Sequence, residues 1–146
     1  MPTASPGSMT AFPTKLKGVS HSNPGDGAVR QSLLENEICR RGDLLKLQHL
    51  ADNPYDRNAV AAKTQSGIQV AWIPKERAPE VANALDAGKS CGAYVYEIRE
   101  KTEQHPHIGV SVYVFMADSD LPLEDIRQEF LDWAKREGHE IPLQDV

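Results

Sequence analysis

The sequence predicts a mainly β protein, a small closed or partly closed antiparallel barrel of six strands with flanking helices and an extra C-terminal helix. Six short stretches alternate apolar and polar residues and are separated by Gly, Pro, Asn and Asp, the pattern of half-buried strands joined by turns. Helical spacing of apolar residues is clear in only two places. Strands this short, each with one apolar face, need mutual cover, and 146 residues supply one core of useful size rather than two.

Taken in order, residues 1–13 carry Pro2, Pro6, Gly7 and Pro13 among several Ser and Thr, with too few apolar groups to offset chain entropy, and read as a disordered tail. A first strand is expected over Thr14–Ser20, with Leu16 and Val19 apolar and Gly18 permitting a bend or close backbone approach. Ser22 to Gly27 is loop by composition. Val29, Leu33, Leu34 and Ile38 fit either a short helix or an irregular segment, with a helical turn at Val29–Glu35 the preferred reading. Gly42 ends it, and Asp43–Leu50 alternates as a second strand with Leu45 and Leu47 on one face.

Asn58–Thr64 and Ile68–Ile73 flank Gln65-Ser66-Gly67, a short Gly-containing connection suited to a hairpin. Pro74 stops the strand and leads into a helix whose Ala78, Val81, Ala82 and Leu85 form a narrow apolar stripe, with Gly88 as its stop. Ser90–Lys101 and His107–Ala117 alternate as two long strands, with Val110, Val112 and Val114 sharing a face. A last helix is expected from about Leu123 to Glu137, with Ile126, Phe130, Trp133 and Ala134 on one face and Gly138 closing it. The expected organisation is thus a tail over 1–13, a barrel over 14–117 and an acidic helical extension over 118–146.

The formal net charge of −5 argues against a wrapper of long duplexes, which carries a basic excess to neutralise phosphates. The excess acid is local: from Asp118 onward nine acidic residues face three basic ones, leaving 13 basic and 12 acidic before it. A near-neutral body of that kind can hold a few phosphates in one patch. No run of about 18 apolar residues occurs and the N-terminus lacks a basic-then-apolar layout, so a cytoplasmic location and no membrane partner are expected. Cys39 and Cys91 stand far apart without a CxxC partner, and are expected as buried free thiols.

Asp52-Asn53-Pro54-Tyr55-Asp56-Arg57-Asn58-Ala59 concentrates the chemistry. Pro54 fixes its own φ and pushes Asn53 towards an extended conformation, while Asn53 and Asp56 can each bond nearby backbone N–H groups. The result is a stiff turn that places an amide, a ring, a carboxylate and a guanidinium within five residues. Those groups serve either a hairpin turn that satisfies its own backbone or a surface that grips a ligand.

This turn lies between Gly42-Asp43-Leu44-Leu45-Lys46-Leu47 and Gly67-Ile68-Gln69-Val70-Ala71-Trp72-Ile73-Pro74-Lys75-Glu76, followed by the helix with Ala78, Ala82 and Leu85. The order resembles the HIRAN domain in its standalone small-protein form and as the module that begins the helicase-like transcription factor. The resemblance covers roughly Lys15 to Ile98. It implies an OB-like barrel and a pocket beside the turn that accepts the 3′ end of single-stranded DNA. By the same resemblance Asp56 matches the residue that bonds the terminal 3′-OH, Tyr55 a neighbouring ring able to stack, Asn53 a polar contact and Lys75 a contact to phosphate. Ser20 and His21 stand where the relative has Arg and Tyr; a phosphate contact is lost at Ser20, while His21 retains the capacity to stack or bond. Trp72 is either a core residue or a base platform, with the core preferred.

His105-Pro106-His107 and Asp118-Ser119-Asp120 are the clusters closest to a metal site, and neither has a completing set at familiar spacing. With no phosphate loop, nucleophile elbow or paired catalytic carboxylates, the expectation is a non-catalytic module acting in DNA repair, replication or mobile-element processes, without metal or cofactor. The alternative is a protein-interaction module that offers the Ile126/Phe130/Trp133 face of its acidic C-terminal helix to a partner; a metal-dependent nuclease is the third reading.

Overall fold

The computed structural model describes residues 9–17, 39–53, 56–100, 102–104, 108–118 and 123–138. Its elements are β1 (Met9–Lys15), β2 (Leu44–His49), β3 (Val60–Lys63), β4 (Gln69–Trp72), α1 (Ala78–Asp86), β5 (Ser90–Arg99), β6 (Gly109–Ala117) and α2 (Leu123–Arg136). The strands form one antiparallel sheet in the order β1-β6-β5-β2-β3-β4. Just beyond β1, Lys17 meets Trp72 of β4, each N–H donating to the other's carbonyl at 2.8 Å. Among the described residues the two outer strands are therefore joined by a single bridge, which closes the barrel at that point.

Period-two alternation divides the side chains of the sheet between two layers. Val110, Val112, Val114 and Met116 of β6 enter the inner layer with Cys91, Ala93 and Val95 of β5 and Leu45 and Leu47 of β2. Tyr94, Phe115, Ala117 and Leu44 turn to the outer layer. Among the described residues, each layer is covered by one helix. α1 sends Ala78, Val81, Ala82 and Ala84 into the inner layer, while Leu85 of the expected stripe is partly buried against it. Its end is a Schellman closure: Gly88, at φ 84°, donates to Leu85 O, and Lys89 donates to Ala84 O, both at 3.0 Å.

α2 covers the outer layer with Ile126 and Phe130, both fully buried. The Phe130 ring lies 5.2 Å from Phe115, 5.5 Å from Tyr94 and 5.8 Å from Tyr113 between centroids. The aromatic face that the sequence offered to a partner is thus packed on the chain's own sheet, with Trp133 partly buried at its margin.

The first strand departs from expectation. It begins at Met9, inside the stretch read as a disordered tail, because Met9, Phe12 and Leu16 are buried in the two layers. Pro13 does not interrupt it. Leu16 N–H donates to Val110 O, so in the Met9↔Ala117 to Lys15↔Ser111 register the even positions make the paired bonds, and the nitrogen of Pro13 faces away from β6. The helical turn read at Val29–Glu35 and the Ser22–Gly27 loop lie outside the described residues.

The β3–β4 hairpin forms as expected over Gln65-Ser66-Gly67, with Gly67 at φ 94° and Thr64 exchanging backbone bonds with Gly67 and Ile68. Cys39 and Cys91 are buried and free. Burial pushes the Cys39 thiol up to about 12, with nearby Asp43 adding to the rise, and burial pushes Cys91 to about 11.

Two measurements check this packing. Phe130→Ala is expected to lower stability by about 3–5 kcal/mol, read from the midpoint of a urea unfolding curve. Neither cysteine should react with a thiol reagent at pH 8 in the folded chain, and both should react in denaturant, because only the thiolate is nucleophilic.

Candidate nucleic-acid interface

Between β2 and β3 the chain turns on side-chain bonds of its own. The N–H of Asp56 donates to Asn53 Oδ1 at 3.0 Å, and the N–H of Asn58 donates to Asp56 Oδ1 at 2.9 Å. Backbone bonds continue the brace, from Asn53 N–H to Leu50 O, from Ala59 N–H to Asp56 O and from Leu50 N–H to Ala59 O. This is the Asx-type chemistry expected of Asn and Asp beside a proline. It fixes Asp56 through one oxygen, and no donor among the described residues reaches the other.

Asp56 is half-buried and borders a cleft of about 500 Å³ lined by Lys17, Asn53, Asp56, Ala59, Trp72, Ile73, Lys75 and Glu76. The cleft lies over the Lys17–Trp72 bridge, where the barrel closes. One wall is the braced turn. The opposite side is the exit of β4, where Ile73 N–H donates to Val60 O and Pro74 O accepts from Arg77 and Ala78, setting Lys75 and Glu76 on an exposed bend. Lys17, Lys75 and Glu76 are exposed and Trp72 is half-buried, so two cations, the carboxylates of Asp56 and Glu76 and part of Trp72 border the cleft.

No protein-family model matches the sequence, and no curated protein matches it. Solved structures do. A protein from Lactobacillus plantarum superposes with a TM-score of 0.52 at 18% identity, over 74% of this chain and 98% of its own. The HIRAN domain of human HLTF superposes with a TM-score of 0.50 at 16% identity, over 94% of this chain and 98% of its own. The chain has a HIRAN-like fold. Within it, Asn53, Asp56 and Lys75, singled out in the sequence, line one cleft. Ser20, His21 and Tyr55 lie outside the described residues.

The HIRAN-like barrel also brings in residues that the sequence did not mark. Lys17 reaches the cleft because its backbone closes the barrel against Trp72, a pairing across 55 positions of sequence that no local pattern announces. Trp72, preferred as a core residue, is only half-buried and stands outside the buried core; its backbone completes the barrel and the residue lines the cleft. His49 was also overlooked. It stands behind the turn, Nε2 2.7 Å from Arg57 O and Nδ1 2.9 Å from Asp86 Oδ1.

A second cavity of about 450 Å³ lies at the start of β2, bordered by Cys39, Asp43, Thr64, Ser66 and Arg127 among others, and holds none of the expected binding residues. Among the described residues no three His, Cys, Asp or Glu side chains gather as a metal site, and no helix is long and apolar enough to cross a membrane. His105, Pro106 and His107 lie outside the described residues, as do Ser119 and Asp120.

The brace itself is open to test. Asn53→Ala removes the acceptor for the Asp56 N–H and should cost about 0.5–1.5 kcal/mol in chemical denaturation. Hydrogen exchange at the Asp56 amide should speed up in the same variant.

Proposed function

We propose that this protein is a non-catalytic module that binds single-stranded DNA in the cleft beside Asp56 and prefers a strand ending in a free 3′-hydroxyl. The observation that carries this reading is the place of Asp56, whose carboxylate accepts from Asn58 N–H through one oxygen and which borders a cleft flanked by two lysines. A carboxylate accepts a hydrogen bond from a hydroxyl and repels a phosphate, so a strand that ends there is favoured over one that continues or carries a terminal phosphate. The HIRAN-like fold supports a nucleic-acid ligand.

Each remaining group has a place in the same scheme. Lys17 and Lys75 neutralise phosphates next to the end, and the exposed part of Trp72 offers a surface for base stacking, which tolerates any sequence and is worth about 1–3 kcal/mol per base. Tyr55 is a further stacking group by its neighbourhood in sequence. A patch of this size suits a few nucleotides and fits a net acidic protein, because only local phosphates need neutralising. DNA repair, replication and mobile-element processes all generate such ends, and they are the settings in which we place the protein.

A titration with paired short oligonucleotides tests the reading. The 3′-hydroxyl strand should bind about tenfold or more tightly than the same strand with a 3′-phosphate, as a charge-assisted hydrogen bond of about 1.5–3 kcal/mol implies. Asp56→Asn keeps an oxygen for the Asn58 N–H while removing the charge, so the preference should shrink with the turn intact. Equal affinity of the wild type for both ends would sink the assignment. Lys17→Ala and Lys75→Ala should each weaken both strands and lower the slope of log affinity against log salt by roughly 0.7.

A further inference from the structure

His49 sits at the last position of β2, mostly buried, with its side chain 14% exposed. Both ring nitrogens are in hydrogen-bond contact, Nδ1 with the carboxylate of Asp86 at the end of α1 and Nε2 with the carbonyl of Arg57 in the turn. Both partners are acceptors only, since a carboxylate and a peptide oxygen have no proton to give. A neutral imidazole has a single N–H and satisfies one of them, leaving a lone pair facing an oxygen at the other. An imidazolium satisfies both. We infer that His49 is a proton-operated positioning residue: in its protonated form it fastens the Asp56 turn to α1, and on losing that proton it releases Arg57 and loosens the carboxylate that faces the cleft. This rests on the end-binding role proposed for Asp56.

Which contact opens follows from bond strength. A hydrogen bond to a carboxylate is about twice as strong as one to a neutral carbonyl. The neutral ring therefore keeps its proton on Nδ1 against Asp86, and the bare Nε2 is left against Arg57 O at 2.7 Å, where the turn must move away. Asp56 lies one residue before Arg57, and its carboxylate is held through Asn58 N–H one residue after it, so displacement of that peptide disturbs the bond that aims the carboxylate.

The charged groups around the ring act in one direction. Asp86 approaches from α1 and Asp56 from the turn, both negative, while the facing residue of β3 is apolar Val60. The bond to Asp86 and then the bond to Arg57 O raise the affinity of His49 for its proton above the ordinary value near 6.5, against a smaller opposing effect of burial. Because the folded value is the raised one, the clamp is complete below the ordinary value and is lost as pH rises through the raised one. Strand-end affinity should follow it downwards.

The 146-residue chain is studied in two ways. In the free protein, NMR follows the His49 ring nitrogens and the amides of Asn58 and Ala59 across pH. The expected result is one shared midpoint above 6.5, with the neutral ring carrying its proton on Nδ1. Separate midpoints, or a neutral ring protonated on Nε2 with unmoved turn amides, overturn the inference whatever the ligand.

In the second arm, a 3′-hydroxyl oligonucleotide is titrated at a series of pH values against wild type, His49→Gln and His49→Arg. Wild-type affinity should fall about fivefold across the His49 midpoint, in line with the loss of one hydrogen bond. The Gln variant, with no proton to lose, should be weaker and flat, and the permanently charged Arg variant should bind well and be flat. The bound strand should in turn raise the His49 midpoint, since a ligand that favours the clamped state favours its proton. A Gln profile that still falls like the wild type overturns the positioning role. A wild type with no end preference at any pH removes the role of the cleft, and the regulatory part of the inference with it, while the free-protein titration judges the clamp separately.

Discussion

Two backbone hydrogen bonds, from Lys17 to Trp72 and back, decide what kind of surface this sheet presents. Without them the order β1-β6-β5-β2-β3-β4 is a twisted open ribbon with its outer strands apart. With them the ribbon curls until β4 meets the chain just after β1, and Asn53 and Asp56 line a cleft together with Lys17 and Trp72 of the junction. The cleft is a product of closure. Its lysines come from opposite ends of the sheet, Lys17 from the strand that starts it and Lys75 from just beyond the strand that ends it, and they share a cavity wall because the barrel closes at that point and nowhere else among the described residues.

Closure at the Lys17–Trp72 bridge is supported from both sides of the sheet. α1 fills the inside with small side chains, Ala78, Ala82 and Ala84 around Val81, which lets a helix approach strands rich in Val and Ala. α2 works on the outside with bulk, placing Phe130 among Tyr94, Tyr113 and Phe115. The two helices thus do different jobs. One fits within the curve and the other stiffens its back, and the β5–β6 pair between them is the longest ladder in the sheet.

Much of this was legible in the sequence, because alternation over Val110, Val112 and Val114 and the 3.6-residue stripe through Ala78, Val81 and Ala82 report burial directly. Strands β2 to β6 and the two helices among the described residues followed from such patterns, and the turn chemistry of Asn53 and Asp56 followed from their neighbours. Local pattern did not reach β1 from Met9, where the apolar residues are spaced irregularly and a proline lies between them. Nor did it reach Lys17 and His49. Their contacts join positions that are distant in sequence, 72 to one and 86 to the other, and depend on how the sheet closes. The aromatic face of α2 was visible, but its partner was not: Phe115 and Tyr94 occupy the second face of strands whose first face already reads as core.

The placement of Pro13 has a consequence beyond the fold of one molecule. A bare strand border is a template on which another polypeptide can add itself, backbone to backbone. Along β1 that border lacks a donor at Pro13 and carries the charged, exposed Lys15 two positions later. An incoming segment would meet an interrupted ladder next to a cation, so the residue that looked like a sign of disorder guards the open side of the barrel against unwanted self-association.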